Sequence, residues 1–291
     1  MANKTTSAGL FSPELVKDVF SKVKGHSTLV KLSEQIPVPF SGTDVMTFNL
    51  DGECAIVGEG EQKPAGSATH GKVSITPIKI VYQHRVSNEF LRTTEEKQLD
   101  ILKAYNDGFA KKVARAIDIM AMHGVNPADL EASGKIGENH LDTVTSVQYT
   151  EGQPKAALND AVATIDENDV TGYALSKAFA AALGDYTVNG VPQFPEFELG
   201  GNPGMLKGTA CDVNTTVTKG NDKALAYVGD FKEAFKWGYS DEIPMEIIEY
   251  GDPDGQGDLK RTNEVVLRAE AWVGWGILDK SAFARVVKSE G

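Results

Sequence analysis

The segment from Gly251 to Asp258 comes closest to a metal-binding pattern in this chain. Asp252, Asp254 and Gln256 alternate along it, as oxygen ligands do at the start of a calcium-binding loop. The twelfth position of that loop is Asn263 instead of the usual bidentate Glu, and the flanking residues read as strands instead of helices. We therefore interpret the segment as a solvated hairpin turn and predict no calcium site.

Other residue types that could carry catalysis are scattered. The five histidines never stand four residues apart, which a helical metal site of the HExxH type requires. Gly58-Glu59-Gly60 lacks the third glycine of a dinucleotide fingerprint, and no P-loop or GxSxG elbow occurs. A site assembled from histidines distant in the sequence stays open. The sequence itself predicts no catalytic residue, no cofactor and no metal ligand.

Charge and composition limit the class of protein further. The chain has 291 residues and a formal net charge of -12, which disfavours tight nucleic-acid binding through phosphates. Cys54 and Cys211 are far apart and belong to no CxxC pair, so neither a disulfide framework nor a zinc site is expected. The first ten residues lack the apolar core of a signal peptide, and no apolar run is long enough for a membrane span.

The elements that surround these residues include an unusually long two-stranded arm between Val45 and Leu91. Its outgoing strand starts at Val45, its turn segment is the Gly/Glu/Lys-rich stretch Gly58–Gly66, and its return strand runs from Val73 to Val86 with a change of phase at Pro77. An isolated two-stranded ribbon is marginally stable in water. The arm should therefore be stabilised by lying on another copy of the same protein.

The rest of the chain divides into periodic helices and alternating strands. The longest periodic segment runs from Thr93 to His123 and predicts a helix of about 29 residues, which would be about 43 Å long. An amphipathic helix is expected over 12–23 and a short strand over 29–38. Further predictions are helices at 155–166 and 175–183, strands between 228 and 278, and a short closing helix at 279–283.

The order of these elements resembles the major capsid protein of tailed bacteriophages, which has the Hong Kong 97-type shell fold. Four stretches carry the resemblance: Val57–Pro64, Ile78–Leu91, Gly229–Phe231, and Arg268–Gly274 with Asp279–Phe283. The likeness covers the chain from about Leu10 onward, and it depends on the order and spacing of the stretches more than on any one of them.

The resemblance implies an α+β protein with a Hong Kong 97-like capsid fold. Its parts would be an N-arm at 1–30, a peripheral domain at 31–44 and 87–125 with a long spine helix, an extended E-loop hairpin at 45–86, an axial α/β domain at 126–225, and closing strands with the C-terminal segment at 226–291. Family members join such subunits into hexamers and pentamers, and the E-loop lies over a neighbouring subunit.

Contact residues follow from the same resemblance. Those at the E-loop tip would be Glu59, Gly60, Glu61 and Lys63; those of the acidic turn near a threefold contact would be Asp252, Asp254 and Asp258; and those of the N-arm would be Lys17, Phe20 and Lys24. Some relatives link the E-loop covalently to a neighbour. Lys63, Lys72 and Lys79 are available in the arm, but no match fixes a partner, so we predict no crosslink.

The implied function is structural, without enzymatic activity. The protein would assemble in the host bacterial cytoplasm into an icosahedral virion shell that encloses double-stranded DNA without specific binding and without a membrane. Partners would be other copies of itself, a scaffolding protein and a portal during assembly, and decoration proteins. Two alternatives remain: an encapsulin-like nanocompartment shell that encloses enzymes, and a cytosolic α+β enzyme.

Overall fold

A computed structural model describes residues 22–23, 26–89, 93, 95–165, 167–240 and 245–289 of the chain. Its helices are α1 Thr28–Leu32, α2 Glu95–His123, α3 Pro154–Ala163, α4 Lys177–Gly184 and α5 Leu259–Thr262. Its strands are β1 Glu34–Gln35, β2 Thr43–Asp51, β3 Ser67–Ile75, β4 Ile78–Ser87, β5 Thr145–Tyr149, β6 Gly172–Leu175, β7 Thr187–Val188, β8 Val191–Pro192, β9 Met205–Leu206, β10 Thr209–Val213, β11 Ala224–Gly229, β12 Phe235–Tyr239, β13 Met245–Ile248, β14 Glu264–Ile277 and β15 Phe283–Lys288.

The first sheet is organised around β14, the longest strand. Its strand order is β1-β12-β14-β13, and β4 also pairs with β14, from Val273 back to Glu264. Helix α2 packs on this sheet because its apolar residues recur every three or four positions. Phe109, Val113 and Ile117 of α2 share one buried cluster with the inward-facing residues of β14.

The second sheet is mixed, with the order β5-β15-β11-β6-β10-β9. Its central strand β11 is buried along its whole length, because α1 and α2 cover one face while α3 and α4 cover the other. A strand covered on both faces is expected to be continuously apolar, as the sequence of β11 is. The predicted axial range 126–225 ends inside β11, and the sheet is completed by β11 and β15, which come from the predicted closing segment.

The predicted arm contains a true hairpin and a separate strand. Strands β2 and β3 pair antiparallel in unbroken register from Thr43↔Ile75 to Asp51↔Ser67. The return strand does not continue to Val86 within the arm, because β4 leaves the hairpin after Pro77 and pairs with β14 instead. Proline cannot donate a ladder hydrogen bond, which explains why the change of partner falls there. We call β2, β3 and the intervening residues 52–66 the arm, and residues 52–66 the arm tip.

Two glycines of β14, Gly274 and Gly276, lie beneath the base of the arm, and we call them the glycine floor. Gly274 and Gly276 lie on β14 beneath β3, and a Cβ added to either would stand 2.9 Å from a side-chain atom of Ile75. Ile75 is consequently buried although it ends an exposed strand. Any larger residue at these two positions would push the base of the arm away from the sheet.

Residues 29–38 differ most from prediction, because they form helix α1 followed by the short strand β1. Ser27 caps α1 by accepting a hydrogen bond from the backbone N–H of Val30. The buried carboxylate of Asp118 accepts from Ser27 Oγ and from the N–H groups of Thr28 and Leu29. These acceptors, the Asp118 carboxylate and Ser27 Oγ, satisfy the N–H donors of a helix N-terminus that the apolar composition of the segment does not reveal.

The closing helix expected at 279–283 is a turn. Asp279 accepts hydrogen bonds from both the N–H and the hydroxyl of Ser281, and strand β15 starts at Phe283. An Asp that bonds two residues ahead stabilises a turn as well as a helix cap, which explains the wrong prediction.

Candidate assembly interface

The arm exposes apolar side chains that the other described residues do not cover. Met46 is 71% exposed and Phe48 is 57% exposed on one face of β2, and Ile56 in the arm tip is fully exposed. Every side chain from 52 to 70 is exposed except that of Val57, which is half-buried. Met46 and Phe48 stand two residues apart on one strand face, and an exposed apolar pair of this kind is typical of a site of protein interaction.

A tight turn shapes the predicted E-loop contacts. The N–H of Glu61 donates to the carbonyl of Gly58, and Gly60 takes a φ of 84°, as the third residue of such a turn requires. The carboxylate of Glu61 accepts from the N–H of Gly58 at 2.8 Å, so this side chain holds the turn together. Glu59 and Lys63 point into solvent. Of the four predicted contacts, Gly60 and Glu61 therefore stabilise the turn, whereas Glu59 and Lys63 expose their side chains to solvent.

Arg85 of β4 holds the acidic turn. Its guanidinium donates to both carboxylate oxygens of Asp254, at 2.5 and 2.8 Å, and to Glu264 at 3.0 Å. These hydrogen bonds lower the pKa of Asp254 to about 2. Asp258 caps α5 by accepting from two backbone N–H groups, whereas Asp252 stays partly exposed, 3.5 Å from Arg85.

Arg85 is the residue that the sequence interpretation missed at this turn. The guanidinium pairs with Asp254 and Glu264 within the subunit, but its single charge does not balance the carboxylates around it. Arg85 shares β4 with Lys79, and nothing in the sequence of that strand indicates that Arg85 will face an acidic loop far along the chain. The N-arm contacts Lys17, Phe20 and Lys24 lie outside the described residues.

A buried polar cluster around Asp142 also went unpredicted. The ring nitrogens of His123 lie 3.0 Å from the Asp142 carboxylate and 3.0 Å from the carbonyl oxygen of Thr216. Tyr227 and Arg285 both donate to Asp142, at 2.7 and 2.9 Å. A backbone carbonyl stands where a nucleophilic triad would need a hydroxyl, so the cluster does not have the geometry of such a triad. Its hydrogen bonds join α2, β11 and β15.

The Asp142 cluster makes the free energy of unfolding depend on pH in the acidic range. Burial alone would raise the pKa of Asp142, but hydrogen bonds from His123, Tyr227 and Asn221 and the charge of His123 bring it from its ordinary 3.8 down to about 2. A carboxyl whose pKa is depressed by folding stabilises the fold above its unfolded pKa and loses that contribution as the pH falls.

We expect the wild-type free energy of unfolding to fall by about 2 kcal/mol from this group as the pH drops from about 4 to about 2. Asp142→Asn should flatten that part of the profile, whereas Asp160→Asn, at an exposed position on α3, should leave it unchanged. Chemical denaturation at a series of pH values measures the difference. Equal slopes for wild type and Asp142→Asn would contradict the assignment.

No metal or membrane feature is found in the part of the chain that the structure describes. Within it, no three His, Cys, Asp or Glu side chains are grouped to hold a metal ion. None of the described helices is both long and apolar enough to span a bilayer.

The comparisons with known proteins identify the family. A model of the phage capsid family matches residues 8–288, nearly the whole chain. The chain belongs to the phage capsid family. A solved structure from Mycobacterium phage Ogopogo is similar over 91% of this chain and 92% of its own, with 32% identity and a TM-score of 0.77. No curated protein matches the chain.

Two further structures share the fold at lower identity. One is from Gordonia phage Cozz, with 24% identity, a TM-score of 0.74, and coverage of 91% of this chain and 87% of its own. The other is the capsid of a native GTA particle, with 13% identity, a TM-score of 0.64, and coverage of 90% of both chains.

These findings confirm the predicted resemblance and its coarse consequences. The chain is a structural major capsid protein of mixed helix and sheet fold, it self-associates into a shell, and its place is the virion. They do not favour the nanocompartment or the enzyme alternative.

Proposed function

We propose that this capsid protein assembles through hexamers and pentamers into a closed icosahedral shell around double-stranded DNA, and that each copy stabilises its arm on a neighbour. The observation that carries the proposal is the uncovered arm: a two-stranded ribbon whose apolar side chains Met46, Phe48 and Ile56 face solvent. A ribbon of this kind gains stability only by burying those side chains.

The predicted parts then have assembly roles. Residues 1–30 form the N-arm, the hairpin within 45–86 is the E-loop, and α2 is the spine helix of the peripheral domain. The second sheet, with β11 and β15, is the axial domain around which the rings close. Obligate interfaces bury about 2,000–5,000 Å² in total, and each subunit would share several.

The acidic turn is placed near a threefold contact in this scheme. Asp254 and Asp258 fix the shape of the turn through Arg85 and α5, so they act on the contact indirectly. Asp252 retains an exposed carboxylate and is the residue that would meet a neighbour.

The acidic chain suits a container that encloses DNA without gripping it. The formal net charge of -12 keeps a duplex mobile against the shell, because phosphate binding requires clustered Lys and Arg. We place assembly in the host cytoplasm, with a scaffolding protein and portal as assembly partners, decoration proteins on the finished shell, and no enzymatic activity in the subunit.

Electron microscopy and sedimentation of the purified full chain test the proposal. We expect shells, tubes or rings of five and six subunits, and we expect the mass enclosed in particles from infected cells to be DNA. A protein that stays monomeric at high concentration, or particles filled with protein, would refute it.

A further inference from the structure

A concave cluster of cations lies where α1, α2, α4 and the residues after β10 meet. It surrounds a cavity of about 340 Å³. We call it the basic groove. Its basic side chains are His26, Lys31, Lys111, Arg115 and Lys177.

The described residues do not neutralise the positive charge of the basic groove. Asp212 is the one carboxylate among its lining residues, and it pairs with Lys31 at 2.7 Å. Arg115 donates to the neutral hydroxyl of Thr215. Lys111 and Lys177 form no ion pair with any described residue. With His neutral, four cations and one anion leave a charge of +3 on a chain of net charge -12.

Lys177 adds a second sign that an anion belongs here. It is the first residue of α4, and that helix carries no acidic residue in its first turn. The positive end of the helix dipole disfavours a cation at this position. Four cations gathered around one cavity repel each other as well, so an incoming anion would relieve both costs.

The arm tip has the complementary charge. Residues 52–66 contain Glu53, Glu59 and Glu61 against Lys63, which gives -2 by count. The tip is exposed throughout, apart from half-buried Val57. One chain therefore carries a projecting anionic element and a recessed cationic one, and neither is matched by an oppositely charged partner of its own among the residues that the structure describes.

We propose that the arm tip of one copy binds in the basic groove of a second copy. The inference rests on the proposed function and adds the surface that receives the arm. Two tips cannot face each other across a twofold axis without like-charge repulsion, and neither can two grooves. The contact is therefore heterologous, and a heterologous contact that closes generates a ring.

Phosphates of the enclosed DNA are the competing occupant. The overall charge of -12 and the clustering of the cations at one place favour the carboxylates of the tip, because a duplex is held by an extended row of cations. Binding of DNA in the groove is kept as an outcome of the test.

A proximity experiment uses a native thiol. Cys54 lies exposed in the arm tip, while Cys211 is buried and its pKa is raised by burial to about 12, which leaves it unreactive. We expect a Thr215→Cys variant to give covalent dimers and longer ladders with a short bis-maleimide. The same treatment of Thr187→Cys, an exposed site on β7, should give none.

The crosslink must join the two named sites. Adding Cys54→Ser to the Thr215→Cys variant should abolish the ladder. A ladder that survives without Cys54, or equal ladders from Thr215→Cys and Thr187→Cys, would overturn the proposal.

A charge exchange tests whether the contact matters for assembly. We expect Glu59→Lys and Lys111→Glu each to raise the protein concentration needed for assembly about tenfold, because each places like charges together. The double variant should return to within about threefold of wild type, since the pair is restored with reversed sign. Lys155→Glu, an exposed change on α3, should behave as wild type. Far-UV circular dichroism confirms that all variants fold.

The outcomes separate this inference from the proposed function. If wild type assembles and neither single variant changes the threshold, or the double variant is no better than the worse single, the groove does not receive the tip. If Lys111→Glu assembles normally but loses binding of a short DNA duplex, the groove serves DNA and the proposal is wrong. A wild type that never assembles would instead refute the proposed function.

Discussion

Removal of the arm tip is expected to leave a folded protein that builds no shells. Replacing residues 52–66 by Asn-Gly would join Asp51 to Ser67, which are the last paired residues of β2 and β3. Two residues of this type form the turn that a two-residue hairpin connection requires. The two sheets do not depend on the tip, so only the contact with a neighbour is lost.

Electron microscopy and sedimentation of this variant give the answer. The thermal transition of the soluble protein serves as the control for folding and should match wild type. The replacement is preferable to a deletion of 58–71, which would also remove the first residues of β3 and so disturb the hairpin itself. Particles of normal size from the shortened protein would refute the role of the arm.

The second large effect is expected in the core beneath α2. Phe109 is 1% exposed and lies in the main apolar cluster between α2 and the sheets. Phe109→Ala should lower the free energy of unfolding by about 3–5 kcal/mol, because the substitution removes buried ring surface and leaves a cavity.

Ile101 on the same helix provides the matched control. It is 41% exposed, so Ile101→Ala should cost far less. Chemical denaturation of unassembled subunits measures both. A loss below about 1 kcal/mol for Phe109→Ala would mean that the inward face of α2 has been assigned wrongly.

Helix α2 shows what the sequence predicts well. Its apolar residues recur over many turns, and such a pattern is incompatible with any other element. Its end is equally clear, because Gly124 takes a φ of 70° and its N–H bonds the carbonyl of Met120. Both signals are local, so one sequence suffices to place the helix within about two residues.

Helix α1 and the acidic turn show where prediction from one sequence ends. The donors of α1 are satisfied by Asp118, about 90 residues away, and Asp254 of the turn is paired with Arg85, almost 170 residues before it. Nothing near either segment announces these partners. The basic groove is hidden in the same way, because its cations come from three separate helices.

The sequence also does not predict which sheet each strand joins, for a related reason. The predicted strands begin at 228 and end at 278, so the sequence interpretation includes only the end of β11 and omits β15, and both strands complete the second sheet. Pairing depends on which faces of the strands the helices cover. The helices that cover β11 and β15 are α3 and α4, which are far from these strands in the sequence.

The glycine floor under Ile75 limits how this protein can be re-engineered. The direction in which the arm leaves the body is set by Gly274 and Gly276, which stand some 200 residues after it in the chain. An arm transferred from one relative to another would therefore lack the matching β14 surface that sets its direction. A working chimaera must carry over the second half of β14 together with the hairpin, and shells with swapped arms alone should close with the wrong curvature or remain open.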